Sequence, residues 1–158
     1  MELAFKTTTF SLIMSLVLTF SAAAFAAGTD EDEADTPDGD WNSFVKMDLD
    51  NGYYESAMER LETIKAENED SSADWNNYMG YTLRKQETPD LAAAETHYKK
   101  ALELKADHRG AMEYYGELKL LQKDLAGAKT LLASLKEACP ESCDELEELD
   151  ASIKEYKE

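Results

Sequence analysis

The two cysteines of this 158-residue chain, Cys139 and Cys143, are the residues with the most obvious chemistry, and three residues separate them. In a secreted protein an even, closely spaced pair predicts a structural disulfide. A redox-active dithiol is the alternative, but it usually has two intervening residues and a thioredoxin-like β-α-β pattern around it. A metal site would need a cluster of further ligands, which the sequence does not show. We therefore expect a disulfide, with no metal and no cofactor.

Two histidines, His97 and His108, are the other candidates for chemistry. The helical pattern predicts His97 on the surface of a helix or at the edge of a groove, and His108 in a turn. The sequence has no HExxH, GxSxG or glycine-rich phosphate loop to combine with them. Catalysis needs a converging set of groups, so the sequence predicts a protein that is not an enzyme.

The stretch from Asp48 to Glu59 has some features of a calcium loop, with Asp48, Asp50 and Glu59 at its first, third and twelfth places. However, Gly52 falls at the fifth place, where an acid or Asn is required, and Tyr53 at the sixth, where the turn requires Gly. We interpret the stretch as an acidic helix end followed by a turn.

Composition and charge exclude several functional classes. The chain has 34 Asp and Glu against 16 Lys and Arg, a formal net charge of -18. Such a chain repels phosphate backbones, so we expect no nucleic-acid partner. Only 7 Gly and 3 Pro are present, which disfavours turn-rich β-sandwiches and barrels, while a hydrophobic fraction of 43% is enough for a packed core.

The N-terminus has the pattern of a secretory signal peptide over residues 1–26. Lys6 precedes an uncharged apolar run at residues 10–20, and Ala24-Phe25-Ala26 has the small-x-small form of a cleavage site. Cleavage near Ala26/Ala27 would give a periplasmic or secreted protein. The alternative is an uncleaved membrane anchor, as in a subunit of a membrane-associated assembly machine.

After the signal, residues 27–37 are predicted to be an acidic, disordered linker, because so few apolar residues cannot bury a core. Beyond residue 40 the apolar residues recur at helical spacing, as in Met58, Leu61 and Ile64. This spacing predicts an all-α body.

Three helical stretches align in phase as units 38–72, 73–108 and 109–141, with spacings of 35 and 36 residues. They resemble the tetratricopeptide repeat (TPR), whose pattern is W-x2-L-G-x2-Y followed by A-x3-F. Departures from that pattern occur at Asp48 and Lys119. The small residues of the pattern, expected where helices cross, are Gly80, Gly116, Ala57, Ala94 and Ala128, and the large residues expected beside them are Leu61, Tyr98 and Leu132.

The resemblance implies a right-handed α-solenoid of three TPR helix pairs plus a C-terminal capping helix over residues 142–158. Leu146, Leu149 and Ile153 give that last segment an apolar stripe. The end of the chain also resembles small exported repeat proteins of Gram-negative bacteria that finish with a paired-Cys turn and an acidic helix.

Helix starts are predicted from capping patterns. Thr88-Pro89 is typical of an N-cap followed by proline at the first helical position. Ser71-x-x-Asp74 and Ser142-x-x-Glu145 are similar to capping boxes.

In the TPR family the first helix of each pair lines a concave groove that binds peptides, so the resemblance implies a protein–protein interaction module. A basic excess in the N-terminal half predicts an anionic segment as ligand, with Lys46, Tyr81 and Arg84 as its main contacts. The implied groove residues are Asn42, Lys46, Asn77, Tyr81, Arg84, Lys85, Glu113 and Glu117, with Leu49, Asp50, Leu120 and Leu121 at further positions.

Chaperone-binding members of the family hold a terminal carboxylate with a cationic clamp. The matching places in this chain are Asn42, Lys46, Tyr78, Gly110 and Tyr114, of which only Lys46 is cationic. The clamp activity is therefore not expected, and the partner protein or peptide is not specified by the sequence.

Overall fold

The computed structural model of the chain describes residues 41–157, and this part is all-α, without a β-strand. The predicted signal peptide (1–26) and acidic linker (27–37) lie outside the described residues. The helices are α1 (Trp41–Asp50), α2 (Tyr54–Thr63), α3 (Lys65–Asn68), α4 (Ala73–Lys85), α5 (Leu91–Leu104), α6 (Arg109–Leu121), α7 (Leu125–Ala138) and α8 (Asp144–Glu155). The predicted all-α class is confirmed.

The helices pack mainly as sequence neighbours, α1 with α2, α4 with α5, and α6 with α7. The first helices of these pairs also contact one another, α1 with α4 and α4 with α6, while α8 packs on both α6 and α7. Each of α1, α4 and α6 therefore has a partner helix behind it. The short α3 is an additional helical turn between α2 and α4.

The hydrophobic core of residues 41–157 consists of three clusters that follow the order of the helices. Trp75 and Leu61 belong to the first cluster, which joins α1, α2 and α4; Tyr98 belongs to the second and Leu149 to the third. The indole N–H of Trp75, although fully buried, donates to the carbonyl of Leu61 at 3.0 Å. Because each cluster lies at a junction, neighbouring helices depend on one another for burial.

Small residues allow two of the helix crossings to be close. A Cβ atom at Gly80 would lie 2.8 Å from Cε1 of Tyr98, and one at Gly116 would lie 2.5 Å from Cδ2 of Leu149. Such approaches are closer than van der Waals contact, so only glycine fits without movement of the neighbour. The predicted alanines at crossings are likewise fully buried: Ala57, Ala94 and Ala128.

The predicted N-cap of α4 was wrong by one residue. Ser72 caps the helix, and its hydroxyl accepts from the amide of Trp75 at 3.1 Å. Ser71 instead donates its hydroxyl to the carbonyl of Glu67 at 2.7 Å, which keeps it in the preceding turn. The two adjacent serines were equivalent on pattern alone, and the end of α3 decides between them.

The predicted caps of α5 and α8 were also wrong. Asp90, not Thr88, caps α5, and its carboxylate accepts from the amide of Ala93 at 2.9 Å. The negative charge of Asp90 also interacts favourably with the positive end of the helix dipole. Cys143 occupies the N-cap place of α8 without a side-chain bond, and Ser142 donates to the Glu147 carboxylate instead.

Asp48 joins the first two helices. It is only 5% exposed, and its Oδ2 accepts from Ser56 Oγ and from Arg60 Nε, both at 2.7 Å. This pairing accounts for an aspartate at a place where the repeat pattern has tyrosine. Since protein donors already occupy that oxygen, the geometry supports the helix-end interpretation over the calcium loop. α1 ends at Asp50, and Gly52 turns the chain with a φ of 75°.

Cys139 and Cys143 are at disulfide distance, with their sulfur atoms 2.12 Å apart. Cys139 follows the last residue of α7, and Cys143 precedes the first residue of α8. The pair therefore spans the turn between these two helices. Among residues 41–157, no helix is both long and apolar enough to cross a membrane.

Candidate functional site

A concave groove of about 220 Å³ lies between the first helices of the three pairs and the start of α8. Helices α1, α4 and α6 each contribute several side chains to the lining. One face of each helix packs on its partner helix, so another face is left to line the groove. The groove is lined by Lys46, Leu49, Asp50, Asp74, Asn77, Tyr78, Tyr81, His108, Gly110, Glu113, Tyr114 and Glu145.

Tyrosines form the central surface of the groove. The rings of Tyr81 and Tyr114 are 4.5 Å apart between centroids, and Tyr78 makes an edge contact with Trp41 at 6.4 Å. Burial, followed by the charges of Asp74 and Asp50, raises the pKa of Tyr78 to about 12. The phenol groups are therefore neutral at ordinary pH, and they offer flat apolar faces together with polar edges.

A chain of hydrogen bonds ties the three first helices together along one edge of the groove. The Tyr78 hydroxyl donates to Asn42 Oδ1 at 3.0 Å, and Asn42 Nδ2 donates to Asp74 Oδ2 at 3.3 Å. His108 Nε2 lies 2.9 Å from the other Asp74 oxygen, while its Nδ1 accepts from the amide of Ala111 at 3.1 Å. Because Nδ1 is an acceptor, the proton is on Nε2 and is donated to Asp74. The predicted turn residue His108 is thus the buried N-cap of α6.

Arg84 does not lie free in the groove, contrary to the expectation of a basic half. Its side chain is buried, and Nη2 lies 2.7 Å from Glu117 Oε2, a close charge contact without the alignment of a hydrogen bond. The guanidinium group also lies over the rings of Tyr81 and Tyr114, at 5.2 and 5.7 Å from their centroids. The positive charge of Arg84 therefore interacts with Glu117 and with the two tyrosine rings, inside the protein.

The remaining predicted cations add little positive charge. Lys46 Nζ pairs with Asp50 Oδ2 at 2.6 Å, and exposed Lys85 lies 5.7 Å from the centre of the Tyr81 ring without lining the groove. The lining therefore does not have the predicted basic excess, because Lys46 and Arg84 are paired with acids and Lys85 lies outside the lining. The lining contains one lysine and four carboxyl groups, namely Asp50, Asp74, Glu113 and Glu145.

Glu113 is the most unusual carboxyl group of the lining. It is 3% exposed and faces α8. Burial, then a hydrogen bond with Glu148 and the charges of Glu148, Glu117 and Glu145, raise its pKa to about 9. Because the carboxylate form is penalised by both desolvation and like charge, Glu113 is protonated at neutral pH.

Asn77 lies in the wall of the groove with an unused acceptor. The residue is 4% exposed, and its Oδ1 is buried without a hydrogen-bond partner among the described residues. It faces the start of α6, where a Cβ atom at Gly110 would lie 3.3 Å from its Nδ2. A buried amide oxygen without a donor is costly, so a donor from a bound molecule would be favourable here.

The structure brings together four of the eight predicted groove residues in the lining, namely Lys46, Asn77, Tyr81 and Glu113. Asn42 belongs to the hydrogen-bonded edge, Arg84 and Glu117 form the pair beneath the tyrosines, and Lys85 is exposed outside the lining.

Three lining residues were not predicted from the sequence, namely Asp74, His108 and Glu145. Asp74 and His108 could have been found from the sequence, because they lie next to the first residues of α4 and α6. Glu145 had none, since its place depends on how α8 packs on α6.

His97 lies away from the groove, on α5. Its ring packs edge-on against Trp75 with centroids 5.5 Å apart, and its Nδ1 lies 3.0 Å from Asn76 Oδ1. Burial lowers the pKa of His97, which favours the neutral imidazole. The residue is a half-buried packing contact rather than the predicted surface or groove-edge residue.

Within residues 41–157, a group of three potential metal ligands occurs only at Cys139, Cys143 and Glu145. The two sulfur atoms are at bonding distance from each other, which leaves them unavailable as thiolate ligands.

Comparisons with models of protein families, with curated proteins and with solved structures find no match to this chain.

Proposed function

We propose that this chain is a non-catalytic protein–protein interaction module that docks a peptide segment of a partner in the groove between α1, α4 and α6. The groove itself carries the proposal, because side chains from three helices, α1, α4 and α6, together line one concavity. Its tyrosine faces and polar edges suit an extended or helical polypeptide, which offers both apolar side chains and backbone hydrogen-bonding groups.

We further propose that the fold is a right-handed TPR-type solenoid of three helix pairs closed by α8. The succession of pairs supports it, as do the starts of α4 at Ala73 and α6 at Arg109, the residues at which repeats two and three were predicted to begin. The close crossings at Gly80 and Gly116 supply the small residues that such a stack requires.

We also propose that the protein is exported, because residues 1–26 have the pattern of a signal peptide. Mass spectrometry of the natural protein tests it. A mature chain that begins at Ala27 is expected for a periplasmic or secreted protein. A mass that includes residues 1–26 would favour the alternative, a subunit of a membrane-associated assembly machine.

A thiol–disulfide redox role receives less support from the geometry. Reactive cysteines are typically accessible and lie at a helix N-terminus. Cys143 is partly exposed and lies at the N-cap of α8, which fits that description. Cys139, however, is 5% exposed and follows the C-terminal end of α7, where the helix dipole disfavours a thiolate, so only one of the two sulfur atoms is placed for exchange.

The docking site is tested by mapping. Peptides selected from a random display library would be titrated into the isotope-labelled chain, and backbone amide shifts would be followed by NMR. We expect the largest changes in α1, α4 and α6, which line the groove. Helices α2, α5 and α7 are the matched internal control, and changes concentrated there would contradict the proposal.

A further inference from the structure

We infer that the segment bound in the groove is cationic, with a lysine or arginine side chain placed beside Glu113 and Glu145 and a backbone amide paired with Asn77. The inference rests on the proposed function, since it names the class of peptide that the same groove would take. It reverses the charge expected from the sequence.

The charge balance of the lining is the first argument. Asp50 is compensated by Lys46, and Asp74 accepts from His108 and Asn42. Glu145 has no such partner, because no lysine, arginine or histidine of the described chain lies within 4.0 Å of its carboxyl group. Glu113 also has no cationic partner, and it is neutral because it holds its proton. The C-terminal end of the groove therefore presents the unpaired charge of Glu145 next to a neutral carboxyl group, Glu113, that a nearby cation would favour in its charged form.

Asn77 is the second and independent argument. Its buried Oδ1 has no donor within residues 41–157, and the residue lies on the same groove wall, next to Gly110. A polypeptide backbone supplies an N–H donor at regular intervals, and rotation of the amide about its last side-chain bond can present the oxygen to it. A ligand that offers both a donor and a positive charge meets both requirements of the site.

The protonation of Glu113 gives the inference a distinctive signature. An ammonium or guanidinium group beside this carboxyl group would favour its charged form, so binding at neutral pH should release a proton. The titratable and charged groups that face Glu113 or share its field are Tyr81 from α4, Tyr114 and Glu117 from α6, and Glu145 and Glu148 from α8.

A peptide fits these acids better than a bare divalent ion. Metal binding needs several oxygen atoms converging on one point. Among the described residues, the one group of three potential ligands is Cys139, Cys143 and Glu145, which offers a single carboxylate oxygen and does not include Glu113 or Glu148. A long, flexible cationic side chain can instead reach separated carboxyl groups one at a time.

The test uses the full chain and three synthetic peptides of about ten residues that differ only in carrying lysine, serine or glutamate at the same places. Binding is measured by fluorescence anisotropy at about 0.15 M salt, where exposed charges are well screened. We expect the lysine peptide to bind at least ~10-fold more tightly than the serine peptide, and the glutamate peptide not to bind.

Two variants and one control variant locate the interaction. Glu145→Lys should weaken binding of the lysine peptide by ~10-fold or more, whereas Glu103→Lys makes the same change of net charge on α5 and should have less than a ~2-fold effect. Glu113→Gln imitates the protonated carboxyl group and should weaken binding while abolishing proton release, measured by calorimetry in two buffers of different ionisation enthalpy. Circular dichroism checks the helix content of each variant.

The outcomes separate this inference from the function on which it rests. If the serine or glutamate peptide binds as tightly as the lysine peptide, the groove docks peptides but the charge assignment is wrong. Equal weakening by Glu145→Lys and Glu103→Lys would show attraction to the net charge alone and would overturn the inference. Should none of the three peptides, nor any selected peptide, bind to the chain, the docking function itself fails.

Discussion

Leu149 of α8 packs directly over Gly116 of α6, so closely that a Cβ atom at position 116 would lie 2.5 Å from Leu149 Cδ2. Leu149 is fully buried, and its cluster also contains Leu132, Leu135 and Met112. This contact holds α8, the last helix, against α6. Because α8 carries Glu145, the same contact also sets the acidic end of the groove.

Gly116→Ala should loosen the attachment of α8. The added methyl group forces Leu149 or the helix to move, and we expect a loss of about 1–3 kcal/mol in the free energy of unfolding, measured by urea denaturation. Leu149→Ala makes room for the methyl group. The double variant should therefore lose less stability than the sum of the two single changes, and strict additivity would contradict the contact.

Glu113 should make stability depend on pH in an unusual direction. Its pKa is about 9 in the folded chain against an ordinary value of 4.5, so between these pH values the folded state holds a proton that the unfolded state has released. The free energy of unfolding should then fall as pH rises from about 4.5 to about 9.

Glu113→Gln removes this dependence, and we expect it to raise the free energy of unfolding at pH 8 by roughly 1–3 kcal/mol. Denaturation curves at pH 5 and pH 8 provide the measurement. A difference in stability between the variant and the native chain that is the same at pH 5 and pH 8 would show that Glu113 does not hold a proton in the folded state.

Asp48 should be important for the α1–α2 corner. Asp48→Asn removes the charge that holds Ser56 and Arg60, and we expect a cost of about 1–3 kcal/mol in thermal or urea unfolding. Asp50→Asn is the matched control, because its pair with Lys46 is exposed and should contribute less than about 1 kcal/mol. Equal effects of the two substitutions would argue against a special role for Asp48.

The cysteine pair should have a modest and local effect. The loop between Cys139 and Cys143 is short, so replacing both by serine should cost only about 2 kcal/mol in the chain-entropy model. Hydrogen exchange should accelerate in α8 and leave α4 and α5 unchanged. A global collapse of protection, or loss of a reductase activity towards a disulfide substrate, would point to a different role.

Much of the helical architecture could be predicted because it depends on local spacing. The period of apolar residues indicated an all-α body, and the small residues at places such as Gly80 and Ala94 indicated helix crossings, which the structure confirms. The helix ends were predicted less well. Ser71 and Ser72 are equivalent as capping residues, and only the position of α3 makes Ser72 the cap.

The groove could be predicted as a set of positions but not as an electrostatic surface. Periodicity placed Tyr81 and Arg84 on the same helix face, yet the structure exposes one to the groove and buries the other against Glu117, which lies 33 residues further along the chain. Charge counting treats both members of such a pair as free, and the predicted basic half of the groove came from that assumption.

The sequence by itself therefore determined the helices, their apolar faces and the places where they can cross closely, because these depend on residue type and on spacing within a few turns. Only the tertiary structure decided which charges are paired, which polar atoms such as Asn77 Oδ1 lack a partner in the described part of the chain, and that Glu113 holds its proton. Burial and Coulomb interactions depend on distances between helices, and those distances arise only when α1, α4, α6 and α8 pack together.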